Sequence, residues 1–261
     1  MAGHSKWANI KRQKARVDAV RGSVFTKLAR EIIVAARSGA DPAGNFQLRT
    51  AIDKAKAAGV PNANIDRAIA KGSGKLAGEG AELEAIRYEG YGPGGVAVLI
   101  EALTDNRNRT AADLRVAFSK NGGNLGETGC VGWMFEQKGV VTVVGEAIDE
   151  DALLEASIEG EGEAYDPFAG QDSKGFDLVG FEVKTAPDNL ERLETVLKGQ
   201  GFRVWQSELR WFPTNMVAVA DRDVVKSLMK MMDTIEDLDD VQSVAANFEM
   251  TDELMAEVMG S

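Results

Sequence analysis

The stretch GSGKLAGEGAE, residues 72–82, separates two segments whose apolar residues follow different rhythms, so each needs a core of its own. Before it, apolar residues recur at the i, i+3, i+4, i+7 spacing of amphipathic helices; after it, strand-like runs alternate with helical ones. A glycine-rich stretch has almost nothing to pack and reads as a flexible linker. At 261 residues the chain is also long for a single core, and two or three domains are expected.

Upstream of the linker, Phe25, Leu28, Ala29, Ile32, Ile33 and Ala36 share one helical face, with Lys27, Arg30 and Arg37 off it. Ser38-Gly39 and Asp41-Pro42 stop that helix. A second helix buries Leu48, Ala51, Ile52 and Ala55 and ends at Gly59; a third, from Pro61–Asn64 to Gly72, buries Ile65, Ala68 and Ile69. Small residues at the contacts predict a tight three-helix bundle. Downstream, 84–91 and 96–104 read as strands, followed by a helix capped by Thr104 or Asp105 and a strand near 131–136. The order over 138–209 is β-α-β-β-α-β, the ferredoxin-like arrangement. A strand near 215–219, a helix at 222–236 and a strand at 241–248 complete the sheet begun at 84–136. The expected fold is therefore α+β and multidomain: a three-helix domain (1–80), then two ferredoxin-like α/β domains. One of these (138–209) is inserted in the other (81–137 plus 210–261).

Charge separates at the same boundary. Residues 1–75 hold fifteen basic and five acidic residues, a net of +10; the remainder is −21, and the whole chain is −11. This asymmetry predicts a basic module for a polyanion carried on an acidic body. The charge is densest from Lys6 to Arg21, where the large apolar residues, Trp7, Ile10, Val17 and Val20, are too sparse to bury a core. There Lys6, Lys11, Arg12, Lys14, Arg16 and Arg21, continued by Lys27 and Arg30, supply phosphate contacts; Trp7 offers a stacking face and Asn9 hydrogen bonds to base edges or sugars. The competing expectation is a basic helix docking on the chain's own acidic part. The acidic runs, IEDLDD among them, read as solvated faces that repel phosphate.

Other motifs carry less. GYGPGG (90–95) leads into a second strand rather than a helix, so it is a hairpin and not a phosphate loop. Arg107 and Arg109 in TDNRNRT stand at a helix start and form a secondary anion contact. Cys130, the single cysteine, excludes an internal disulfide and reads as a small, partly buried thiol. His4 has no second histidine with which to build a metal site. No nucleophile–base set, carboxylate pair or metal motif is recognisable, so no enzyme, cofactor, metal or small-molecule substrate is expected. No apolar run is long enough to span a membrane, and no apolar h-region follows the charged start; the expected location is the cytoplasm.

The motifs AGHSKWANIK, RGSVFTKLAREI, AARSGADP, LRTAIDKAKA, NIDRAIAKGSG, YEGYGPGGVAVLIE, LTDNRNRT, AFSKNGGNLGETG and VGWMFEQKG closely resemble the YebC/PmpR family. The resemblance is dense through residue 139, and the late VQSVAANF strand also fits. It implies a helical N-terminal domain, two α/β domains, one inserted in the other, and no catalytic activity. Members are described as DNA-binding transcriptional regulators; others, including a mitochondrial translational activator of cytochrome c oxidase, act in translation with ribosomes. The AGHSKWANIK segment maps onto Ala2–Lys11, and the following helix motif onto Arg21–Ile32. Arg12 stands where the family often has His, which keeps a cation; Ser23 replaces a frequent Lys and removes one.

Two readings of the same basic surface follow: a regulator that binds duplex DNA, and a translation factor that places the arm on ribosomal RNA. The absence of a helix-turn-helix fingerprint weighs against the first, and a basic arm with one aromatic suits structured RNA. The family description puts DNA first. A third class, a protein-interaction module on the α/β domains, predicts that deleting residues 1–21 leaves partner binding intact.

Overall fold

Val24 to Ile69 carry the first core, on three helices whose apolar faces meet: α1 (Ala19–Ala35), α2 (Phe46–Ala57) and α3 (Asn62–Gly72). The computed structural model describes residues 19–76, 82–172 and 175–259. Leu28, Ile32, Leu48, Ala51, Ile52, Ala55, Ile65 and Ala68 are buried together, as their spacing predicts. Asn45 joins the first two helices. Its Oδ1 caps α2 by accepting from the Leu48 amide at 3.0 Å, while its Nδ2 donates to the carbonyls of Ala35 and Gly39 at 2.8 Å. The close approach of α3 to α1 depends on Gly72, where an added Cβ would stand 2.2 Å from the Ile33 carbonyl oxygen and 2.8 Å from the Ala36 Cβ. Gly72→Ala is expected to cost about 1–3 kcal/mol, read as a lower urea midpoint at unchanged m-value.

Strands β1 (Glu84–Tyr91) and β2 (Ala97–Thr104) form the antiparallel hairpin expected at GYGPGG, with Tyr91 opposite Ala97. Gly94 and Gly95 turn it at φ values of 75° and 74°, which side-chain-bearing residues rarely adopt. Helix α4 (Arg107–Lys120) follows. Its cap is Asn106, one residue beyond the two expected, because the Thr104 hydroxyl is occupied by accepting from the Asn106 amide. β3 (Asn124–Leu125) pairs with β1.

The two strands expected at 131–136 and 138–144 are one, β4 (Phe135–Val144), preceded by a 3-10 turn at Gly132–Met134. The physical cause is Glu89, whose carboxylate takes the amides of Gly129, Val131 and Gly132 at 2.9, 2.7 and 2.7 Å. A strand would have given those amides to a neighbour. β4 opens the inserted unit, followed by α5 (Glu150–Glu159), β5 (Gly162–Gln171), β6 (Asp177–Thr185), α6 (Leu190–Gly199) and β7 (Val204–Pro213). The sheet order β5-β6-β4-β7, antiparallel throughout, is the ferredoxin-like one, with Leu153, Leu193 and Leu197 packed on one face.

The chain then returns through β8 (Val217–Ala218), α7 (Arg222–Glu236), β9 (Val241–Ala246), β10 (Phe248–Glu249) and α8 (Asp252–Met259). β9 completes the first sheet in the order β3-β1-β2-β9. This unit shares the plan of four antiparallel strands with two helices, but here the hairpin strands β1 and β2 lie at the centre. Phe118 of α4 and Leu228, Met231 and Ile235 of α7 cover one face. Ala97, Leu99 and Ala245 on the other face pack with Phe135 and Trp211 of the insert.

Candidate nucleic-acid interface

Lys6, Trp7, Asn9, Lys11, Arg12, Lys14 and Arg16 lie outside the described residues, and Arg21 lies in the first turn of α1. The remaining cations of the expected surface are placed, and they turn inward. Lys27 Nζ donates to the Glu236 carbonyl at the end of α7. Arg30 Nη1 donates to the carbonyls of Leu103 (3.1 Å) and Asp239 (2.7 Å) and to Asp240 Oδ1. Ser23 Oγ adds a bond to Asp239 Oδ1 at 2.8 Å. The run IEDLDD, read from sequence as a solvated face, is thus where helix α1 docks.

Asp240 is the centre of that contact. It is 6% exposed, and its carboxylate also accepts from Arg109 Nη2 at 3.0 and 2.9 Å, Thr110 Oγ1 at 2.7 Å and Thr104 Oγ1 at 3.2 Å. Burial acts to raise its pKa, but the hydrogen bonds from Thr110, Arg109 and Arg30 outweigh it and hold the carboxyl below its ordinary 3.8. One carboxylate thereby ties the helical domain to the ends of β2 and α4. The anion contact expected at Arg107 and Arg109 is divided the same way. Arg109 is committed to Asp240 and Asp105, while Arg107 stays at the surface, 3.6 Å from Glu84. Sequence reasoning missed Asp240, because its ligands come from positions 30, 104, 109 and 110; the one available signal was an acid placed directly before an apolar strand.

Glu89 was missed as well, because the amides it accepts from lie some forty positions further along the chain. It is 3% exposed. Burial pushes its pKa up, yet the amides of Val131, Gly129 and Gly132 bring the net value below 4.5. Its contribution to stability is therefore present above that unfolded-state value and is lost as pH falls through the folded one. Glu89→Ala orphans three amides and is expected to cost about 3 kcal/mol at pH 7, less near pH 3, as measured by urea unfolding at both values. Beside this loop Cys130 is half-buried; burial and the Glu89 charge raise its thiol pKa, which disfavours the thiolate. Trp133 projects from the same loop, 71% exposed.

Among the described residues, no group of three or more His, Cys, Asp or Glu is arranged to hold a metal, and no helix is long and apolar enough to cross a membrane.

Comparison with known proteins places these features in a family. Residues 5–75 match the model of the TACO1/YebC protein N-terminal domain, and residues 83–248 that of the TACO1/YebC second and third domain. A protein of Trichormus variabilis, named a probable transcriptional regulatory protein, is 66% identical over 257 residues, 98% of each chain. A protein of Trichodesmium erythraeum with the same name is 64% identical over 255 residues, again 98% of each. Among solved structures, that of a conserved hypothetical protein from Aquifex aeolicus is similar, with a TM-score of 0.81 and 44% identity, covering 95% of this chain and 98% of the other.

Proposed function

Because the chain belongs to the TACO1/YebC family, we propose that it is a non-enzymatic regulator of gene expression that binds duplex DNA through its basic N-terminal arm. The observation that carries this reading is the segregation of charge: net +10 over residues 1–75 on a chain whose remainder is −21. The relatives' name, transcriptional regulatory protein, supports DNA as the target.

Residues Lys6, Lys11, Arg12, Lys14, Arg16 and Arg21 make the phosphate contacts, Trp7 stacks and Asn9 bonds to a base edge or sugar. Lys27 and Arg30 instead hold the helical domain on the acidic body, so they position the arm rather than bind with it. The acidic units repel the polyanion and confine it to the arm. The location that goes with this reading is the cytoplasm.

A second reading, ribosomal RNA on the ribosome, uses the same arm. It is favoured by the docking of α1, which leaves that helix committed to the chain itself rather than free to enter a major groove. A salt titration tests what both readings share. With about five to seven phosphates contacted, log K for a duplex is expected to fall with log[salt] at a slope near −4 to −6; a slope near zero sinks an arm-based mechanism.

A further inference from the structure

We propose that the cleft at the junction of the three units is a docking site for a lysine- and arginine-rich polypeptide segment of a partner protein. The cleft has a volume of about 1600 Å³, beyond the roughly 300–1,000 Å³ typical of small-molecule pockets, and it is lined by α1, α2, the inserted sheet and β9. Carboxylates outnumber basic groups in its lining by eleven to five.

Many of these acids are neutralised internally: Glu182 by Arg210, Asp166 by Lys184, Glu194 by Lys198. Asp53, Asp188 and Asp237 pair with no cation among the described residues, and Glu101 is held only by neutral donors, Trp211 Nε1 at 2.9 Å and Ser243 Oγ at 2.8 Å. The aromatic lining favours cations too. Phe212 already receives Lys184 Nζ at 4.9 Å and the Arg210 guanidinium at 5.9 Å from its ring centre. A polyanion is repelled from such a cleft, and a polycation is drawn in.

A second, uncharged feature selects a polypeptide. Ser207 is 4% exposed and its Oγ, in the cleft lining, finds no partner among the described residues. In the same lining, Gln242 leaves both Nε2 and Oε1 buried and without a partner among the described residues. A primary amide with a free donor and a free acceptor side by side complements the C=O and N–H of one peptide group. Buried polar groups are seldom left unpaired, and three such atoms gathered in one cleft mark where a ligand's backbone would bond.

The test is fluorescence anisotropy of a labelled twelve-residue peptide of alternating Lys and Arg against the full chain, with a poly-Glu peptide as control and spermine as competitor. Saturable binding is expected for the basic peptide alone. Asp53→Asn with Asp188→Asn should weaken it about tenfold at low salt and flatten its salt dependence. Gln242→Leu, or Ser207→Ala should the first fail to fold, should weaken it about fivefold without changing that dependence. Duplex DNA binding should be unchanged in every cleft variant, which separates this site from the arm. Equal peptide affinity for native and Gln242→Leu chains, or displacement by spermine at matched charge, reduces the cleft to a cation sink and overturns the proposal. If replacing Lys11, Arg12, Lys14 and Arg16 by Ala tightens peptide binding tenfold or more, the cleft's occupant is the chain's own arm, and the partner is wrongly assigned.

Discussion

Replacing Asp240 with alanine is expected to lower the unfolding free energy by about 3–5 kcal/mol, the usual cost of breaking a buried ion pair from one side. The carboxylate is the common acceptor for Arg30, Arg109 and Thr110, and its removal leaves cations from two structural units facing each other without an anion. Arg109 is nearly half exposed and recovers part of its loss in water; Arg30, more deeply placed, recovers less. Asp240→Asn keeps the shape and one acceptor oxygen, so it should fall between the alanine variant and the native chain. Because the folded-state pKa lies below the unfolded value of 3.8, the native advantage over Asp240→Asn is full above about pH 5 and declines as pH falls through the folded value. Urea unfolding followed by circular dichroism measures this. Hydrogen exchange should show the amides of α1 losing protection first, since that helix loses its dock. Arg30→Ala combined with Asp240→Ala should be less costly than the sum of the two, by about 1–3 kcal/mol of coupling.

The second large effect is on binding. Changing Lys11, Arg12, Lys14 and Arg16 to alanine is expected to reduce affinity for duplex DNA about a thousandfold near 0.15 M salt. The estimate follows from four lost phosphate contacts, each contributing about 0.9 to the log–log salt slope, so that the slope itself should become shallower by about 3.6. Stability should barely change. Lys27→Ala and Arg30→Ala make the contrast: they should loosen the helical domain and leave the salt slope within about one unit of native, because these side chains bond to Glu236 and Asp240.

The elements of this fold were legible wherever a single apolar period ran through a whole segment. The three N-terminal helices, the hairpin at GYGPGG and helix Arg222–Glu236 follow directly from spacing and glycine placement. The reading failed at 131–144, because the shape of the GETGCVG loop is set by a residue forty positions earlier, Glu89, which no local pattern reveals. The same limit governed the candidate site. A count of charge located a basic module, but it could not tell which cations face outward. Lys27 and Arg30 lie on the polar side of their helix, and whether that side meets water or Asp240 is decided by residues more than two hundred positions away. The cleft was illegible for the same reason, since Asp53, Ser207 and Gln242 come from three different units.

The most direct test of the arm as the working surface on DNA is a competition at about 0.15 M salt, in which the purified chain meets labelled duplex DNA and ribosomes in one tube. Retention on the duplex by the native chain, and its loss when Lys11, Arg12, Lys14 and Arg16 are alanine, is the predicted result. Transfer of the native chain to ribosomes would contradict the transcriptional reading, and equal retention of both chains on the duplex would contradict the arm itself.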